Sequence, residues 1–131
     1  MKRRRIMITN DDGIQSEGLL AAVRAAKEFG EVIVVAPAKQ QTAMGRAYPR
    51  TKDMGIIRKV DYEVEAYAVN GSPGYCAAFG LLEILDTLPD LVISGINFGC
   101  NMGMSLTCSG TLGAAFEAYS QGAPVMAVSL E

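Results

Sequence analysis

Two neighbouring carboxylates are the first residues here with an obvious chemical use. Asp11 and Asp12 stand in the run Thr9-Asn10-Asp11-Asp12-Gly13, directly after a short apolar stretch. Adjacent carboxylates repel unless a proton or a cation neutralises them. Thr42 and Asn97 each follow a further apolar run and bring a hydroxyl and an amide oxygen. Carboxylate, hydroxyl and amide oxygens without imidazole or thiolate suit a hard divalent cation, Mg²⁺ or Mn²⁺. With about four protein donors, water or a substrate phosphate would complete an octahedron. Ser109-Gly110-Thr111 opens a helix, and a helix start built from small residues offers free N–H groups and a positive dipole to phosphate. Gly95, Gly99 and Gly103 allow the preceding loop to bring its backbone close to a ligand. A cation beside a phosphate cradle points to phosphoryl chemistry.

Taken singly, each feature has a plainer reading. Asn10 to Gly13 could be an Asx turn leading into the next helix, Ser109 an ordinary helix cap, and Thr42 and Asn97 loop residues. Composition narrows the alternatives. The chain of 131 residues has no histidine, which removes Ser-His-Asp and Cys-His nucleophile systems, HExxH zinc sites and every imidazole base. Its 12 basic and 14 acidic residues leave a net charge of −2, which argues against a nucleic-acid polymer or an anionic membrane as the main partner. The basic run Lys2 to Arg5 reads as a solvated lead-in to the first strand, since no aromatic platform accompanies it. Three cysteines, Cys76, Cys100 and Cys108, lack a CxxC spacing and fit reduced thiols in a cytoplasmic protein. Neither a secretory leader nor a run long enough to span a membrane is expected.

The elements that must position these residues alternate. Strands are expected at Arg5–Thr9, Val32–Ala36, Leu91–Ser94 and Val125–Leu130. Helices are expected from Gly18 to Phe29 with Gly30 as cap, from Pro73 to about Leu85 behind the N-cap Ser72, and from Gly110 to Ser120 with Gly122 as cap. Gly55–Val60 and Tyr62–Val69 read as a hairpin or a pair of edge strands, and Ala38–Lys52 as loop. Continuously apolar strands alternating with helices imply one α/β domain over 1–131, a mostly parallel, Rossmann-like doubly wound sheet with helices on both faces. In such a sheet ligands sit outside the carboxyl ends of the strands. Asp11, Asp12, Thr42 and Asn97 each lie just beyond a strand's carboxyl end, so the fold itself assigns them to one edge.

Five segments in order, Thr9-Asn10-Asp11-Asp12-Gly13-Ile14, Val34-Val35-Ala36-Pro37, Asn70-Gly71-Ser72-Pro73, Ser94-Gly95-Ile96-Asn97-x-Gly99-x-Asn101-Met102-Gly103 and Ser109-Gly110-Thr111, resemble the SurE survival-protein family from residue 5 to the end. The resemblance implies a cytoplasmic, dimeric or tetrameric enzyme that uses one Mg²⁺ or Mn²⁺ per subunit. Its substrates would be nucleoside 5′-monophosphates, often 3′ as well, and in some members short polyphosphate. By position, Asp11, Asp12, Thr42 and Asn97 would bind the metal, and Ser109, Gly110, Thr111 and Asn97 the phosphate, with Asn10 and Arg46 as further substrate contacts. Asp11 would be the essential catalytic carboxylate, as base or as nucleophile. Thr42 replaces the family's usual serine, Cys108 stands where histidine is common before Ser-Gly-Thr, and Arg46 where histidine often follows Gly45. Family members also continue past the strand ending at Leu130 into a segment that supplies oligomer contacts and closes the site. A chain without that segment has a rival reading, a module that binds nucleotide or phosphate without turnover.

Overall fold

β1 (Arg5–Thr9) is buried from Ile6 onward, and strands flank it on both sides. The computed structural model describes residues 2–131. β2 (Glu31–Pro37) and β5 (Leu91–Phe98) pair with β1 in parallel, with Ile6 opposite both Val32 and Leu91. β4 (Glu65–Val69) extends the sheet beyond β2, and β6 (Val125–Leu130) extends it beyond β5, both in parallel. β3 (Ile57–Val60) folds back antiparallel on β4 as the expected hairpin. The order is therefore β3-β4-β2-β1-β5-β6.

Alternation along β1 divides the interior into two cores. Ile6 and Ile8 face one side with Val32, Val34 and Ala36, covered by Leu19, Ala22, Val23 and Ala26 of α1 (Glu17–Ala26). Met7 faces the other side with Val35 and Val92, covered by Cys76 and Ala77 of α2 (Pro73–Phe79) and Ala114 and Ala118 of α3 (Gly110–Ser120). Because α1 alone covers its side, an apolar groove of about 680 Å³ stays open beside it, lined by Phe29, Ile93, Ile96, Met126 and Val128.

Several details differ from the sequence reading. α1 ends at Ala26, not Phe29, and Gly30 is needed for close approach: a side chain there would come within 2.4 Å of the Arg4 carbonyl oxygen. The helical stretch after Pro73 is α only to Phe79 and continues as a π-helical turn over Gly80–Ile84. β5 runs to Phe98, four residues beyond the expected end, and a 3-10 turn at Gly103–Thr107 breaks the loop after it. Arg5 is more than lead-in, since it pairs with Asp86 and its N–H donates to Asp90 at 2.8 Å.

Leu19 is fully buried between α1 and the sheet. Leu19→Ala should lower the unfolding free energy by about 2–5 kcal/mol, read from urea melts, because the cavity is enclosed on both sides.

Candidate active site

The turn after β1 is locked before its carboxylates enter. Asn10 is fully buried; its amide donates to the Gly13 carbonyl at 2.9 Å and to Ser16 Oγ at 2.8 Å, while its Oδ1 accepts the Gly13 N–H at 3.2 Å. Gly13 has φ +101°, a left-handed conformation that glycine adopts without a Cβ penalty. Ser16 then caps α1 by accepting the Leu19 N–H. Every polar group of the Asn10 side chain is thus committed within the turn. In this arrangement the Asn10 side chain, expected as a substrate contact, shapes the loop that presents Asp11.

Asp11 is 5% exposed, and α3 lies directly against it. Thr111 Oγ1 donates to Asp11 Oδ1 at 3.1 Å, and a side chain on Gly110 would fall 2.7 Å from the Asp11 Cβ. Asp12 is half-buried and reaches the other way, its Oδ2 accepting the Phe98 N–H at 2.9 Å. Burial pushes the Asp11 carboxyl above its ordinary range, the Asp12 charge pushes it further, and the Thr111 hydrogen bond only partly opposes them. Among the described residues neither carboxylate has a Lys or Arg ion-pair partner. A divalent cation fits this uncompensated pair. No group of three His, Cys, Asp or Glu side chains converges among the described residues, so its other protein ligands would be neutral oxygens. That donor set is one for a hard ion.

Asn97 lies inside β5, not beyond it as expected, and a bulge aims it. Ser94 pairs with Ala127 and Asn97 with Ser129, so three steps on β5 match two on β6. The extra residue places Asn97 on the same sheet face as Ser94, whose hydroxyl donates to the Thr111 carbonyl of α3 at 2.7 Å. The Asn97 amide donates to the Gly99 carbonyl at 2.9 Å, which leaves its Oδ1 to accept. Without the bulge, strand alternation would turn Asn97 toward α1.

Thr42 is exposed in a turn of the 38–52 segment, pinned on both sides of it. The Gln41 N–H donates to the Asp11 carbonyl at 2.7 Å, and the Gly45 N–H to the Cys108 carbonyl at 2.8 Å. The structure brings the backbone beside Thr42 to Asp11 and gives the Thr42 hydroxyl no partner among the described residues.

At the start of α3, Ser109 Oγ accepts the Leu112 N–H at 3.2 Å and the Ser109 carbonyl accepts the Gly113 N–H at 2.9 Å. The N–H groups of Gly110 and Thr111 have no intrahelical acceptor, as in any first turn. They lie beside the Asp11 carboxylate, so an anion bound by them would share a cation held there.

Arg46 does not join this group. Its Nε donates to Glu117 Oε2 at 2.8 Å and its Nη2 to Ser120 Oγ at 3.0 Å. Glu117 lies about 10 Å along α3 from Gly110 at 1.5 Å per residue. The guanidinium expected to contact substrate is held here by a buried carboxylate. Sequence reasoning missed Glu117. The available signal was a lone carboxylate in the otherwise small and apolar stripe of Gly110, Ala114 and Ala118.

Burial alone would raise the Glu117 carboxyl, but hydrogen bonds from Gln121, Arg46 and Tyr48 hold it below the ordinary glutamate value of 4.5. A depressed folded-state value stabilises the fold above the unfolded value and loses that contribution as pH falls through the folded one. Glu117→Gln should therefore cost about 1–3 kcal/mol at neutral pH. In urea melts at a series of pH values, its gap to the wild type should narrow as the pH falls below the ordinary glutamate value of 4.5.

The geometry has counterparts among known proteins. A family model described as survival protein SurE matches residues 6–131. The 5′-nucleotidase SurE of Methanopyrus kandleri is 49% identical over 128 residues, 97% of this chain and 49% of that protein. The 5′-nucleotidase SurE of Methanothermobacter thermautotrophicus is 47% identical over 129 residues, 97% of this chain and 49% of that protein. The crystal structure of the SurE protein from Aquifex aeolicus superposes with a TM-score of 0.84 at 37% identity, covering 95% of this chain and 50% of that one. The chain thus spans about half the length of the curated relatives it matches. With the match running from β1 through β6 and across every loop that carries the carboxylates, Asn97 and Ser109–Thr111, the chain belongs to the SurE family.

Proposed function

We propose that this chain is the metal- and phosphate-binding portion of a divalent-cation-dependent phosphomonoester hydrolase that acts on nucleoside monophosphates. One observation carries the reading: Asp11, buried beside Asp12 with no cationic partner, lies against the free N–H groups of α3. Asp11, Asp12, Asn97 and Thr42 would hold one Mg²⁺ or Mn²⁺ per subunit. Bound there, the ion supplies Lewis-acid polarisation of a phosphoryl oxygen. The N–H groups of Gly110 and Thr111, with the Ser109 hydroxyl and the Asn97 amide, orient the phosphate and stabilise charge on its equatorial oxygens. Asp11 provides the essential carboxylate, as base toward the attacking water or as nucleophile. The names of the relatives favour 5′-monophosphates, and 3′-monophosphates and short polyphosphate present the same terminal phosphoryl group.

Three free cysteines agree with a reducing, cytoplasmic setting, and no helix among the described residues is long and apolar enough to cross a membrane. Exposed Phe116, Tyr119 and Met126 along α3 and β6 favour a homodimer or homotetramer. The alternative reading is a module that binds nucleotide or phosphate without turnover.

Phosphate release from a nucleoside 5′-monophosphate with Mn²⁺ present tests the hydrolase, and Asp11→Asn should reduce the rate on the order of 10³-fold or more. Calorimetry on the same sample separates the two readings. Nucleotide heat without phosphate release would establish the binding module, and undiminished release by Asp11→Asn would refute the assignment of Asp11.

A further inference from the structure

Two acidic side chains are buried among the described residues, Asp11 and Glu117, and the site uses only the first. Glu117 is 5% exposed and fully partnered: Arg46 Nε donates to Oε2 at 2.8 Å and Gln121 Nε2 donates to Oε1 at 3.1 Å. Its guanidinium partner arrives from the 38–52 segment, four residues after Thr42. Between these residues the segment runs flush against α3. A side chain on Gly113 would fall 1.9 Å from the Gly45 carbonyl oxygen, and the Gly45 N–H donates to the Cys108 carbonyl. On the near side, the Gln41 N–H holds the Asp11 carbonyl at 2.7 Å.

The span from Thr42 to Met44 is therefore held between the Asp11 carbonyl at one end and, at the other, the Cys108 carbonyl followed by the Arg46–Glu117 pair. Ala43, within it, sits at φ +60°, a left-handed conformation that is unfavourable for a non-glycine residue. Such a turn persists only where its surroundings impose it. The Gly45 N–H bond to the Cys108 carbonyl fixes the backbone at the far end, and just beyond it the half-exposed Arg46 adds a charged hydrogen bond to a desolvated acceptor, which strengthens that anchor.

We infer that Glu117 is a positioning residue for the metal site: through Arg46 it helps hold the 42–46 segment across α3, so that the backbone carrying Thr42 stays beside Asp11 and its unpartnered hydroxyl is available to a cation there. The inference rests on the proposed role of Thr42 as a ligand. In this chain Arg46 takes the place after Gly45 and serves as a strut that the buried carboxylate secures. Outer-shell partners of metal ligands typically change affinity by about 10–100-fold when removed.

The test titrates Mn²⁺ into the 131-residue protein by electron paramagnetic resonance of the free ion. It compares wild type, Glu117→Gln, Arg46→Met, Thr42→Ala and the double variant of Glu117→Gln with Thr42→Ala. Metal-free melting temperatures monitor folding. Glu117→Gln and Arg46→Met should each weaken Mn²⁺ binding about 10-fold. The double variant should bind no more weakly than Thr42→Ala alone, since Glu117 acts through that hydroxyl. Arg46 is half-exposed, so Arg46→Met carries the test even if Glu117→Gln folds poorly. Folded variants with wild-type Mn²⁺ affinity, or losses that add in the double variant, overturn the positioning role and leave the metal site standing. A wild type that binds no Mn²⁺ overturns the metal site and the positioning role with it.

Discussion

The contact between Asp11 and the first turn of α3 is the constraint on which the rest of this structure depends. Gly110 has no side chain because any Cβ would strike Asp11, and Thr111 spends its hydroxyl on the same carboxylate. That packing desolvates a charge next to a second charge, which is unfavourable until something positive arrives. The strand pairing of β1 with β5, the locked turn at Asn10 and the Ser94 hydrogen bond to α3 all serve to hold this arrangement. A buried like-charge pair costs stability, and the surrounding hydrogen bonds keep it from relaxing into solvent.

Asp11 and Glu117 make a useful pair for comparison, since both are acidic, both are buried and both touch α3. Burial and Asp12 push Asp11 up, whereas Gln121, Arg46 and Tyr48 overcome burial and hold Glu117 down. The charged form of the same chemical group is thus disfavoured in one setting and favoured in the other, and the difference lies in whether a cation is already built into the protein. Cys76 shows the limiting case of burial with no charged partner, its thiol pushed far up and inert.

The molecule is also unevenly finished. The core under α2 and α3 is closed, while beside α1 the sheet face of β5 and β6 opens into an apolar groove, and β6 exposes Met126 and Leu130 along an edge. Asp11 sits on the better covered side, facing α3.

Much of this was legible in the order of residues. Apolar runs at Ile6, Val32 and Leu91 alternating with helical periods require parallel pairing, and parallel pairing puts every strand's carboxyl end on one edge. That local logic was enough to gather Asp11, Asp12, Asn97 and the start of α3, and to find the caps Ser72 and Ser109. It was not enough to see that Asn10 is consumed by its own turn, that Asn97 owes its direction to one extra residue in β5, or that Arg46 leaves for Glu117, 71 residues away. Element identity follows from short-range periodicity, which a chain carries within itself. Side-chain destination follows from which surfaces exclude water from one another, and only the folded packing of α3 on the sheet and on the 38–52 segment decides that.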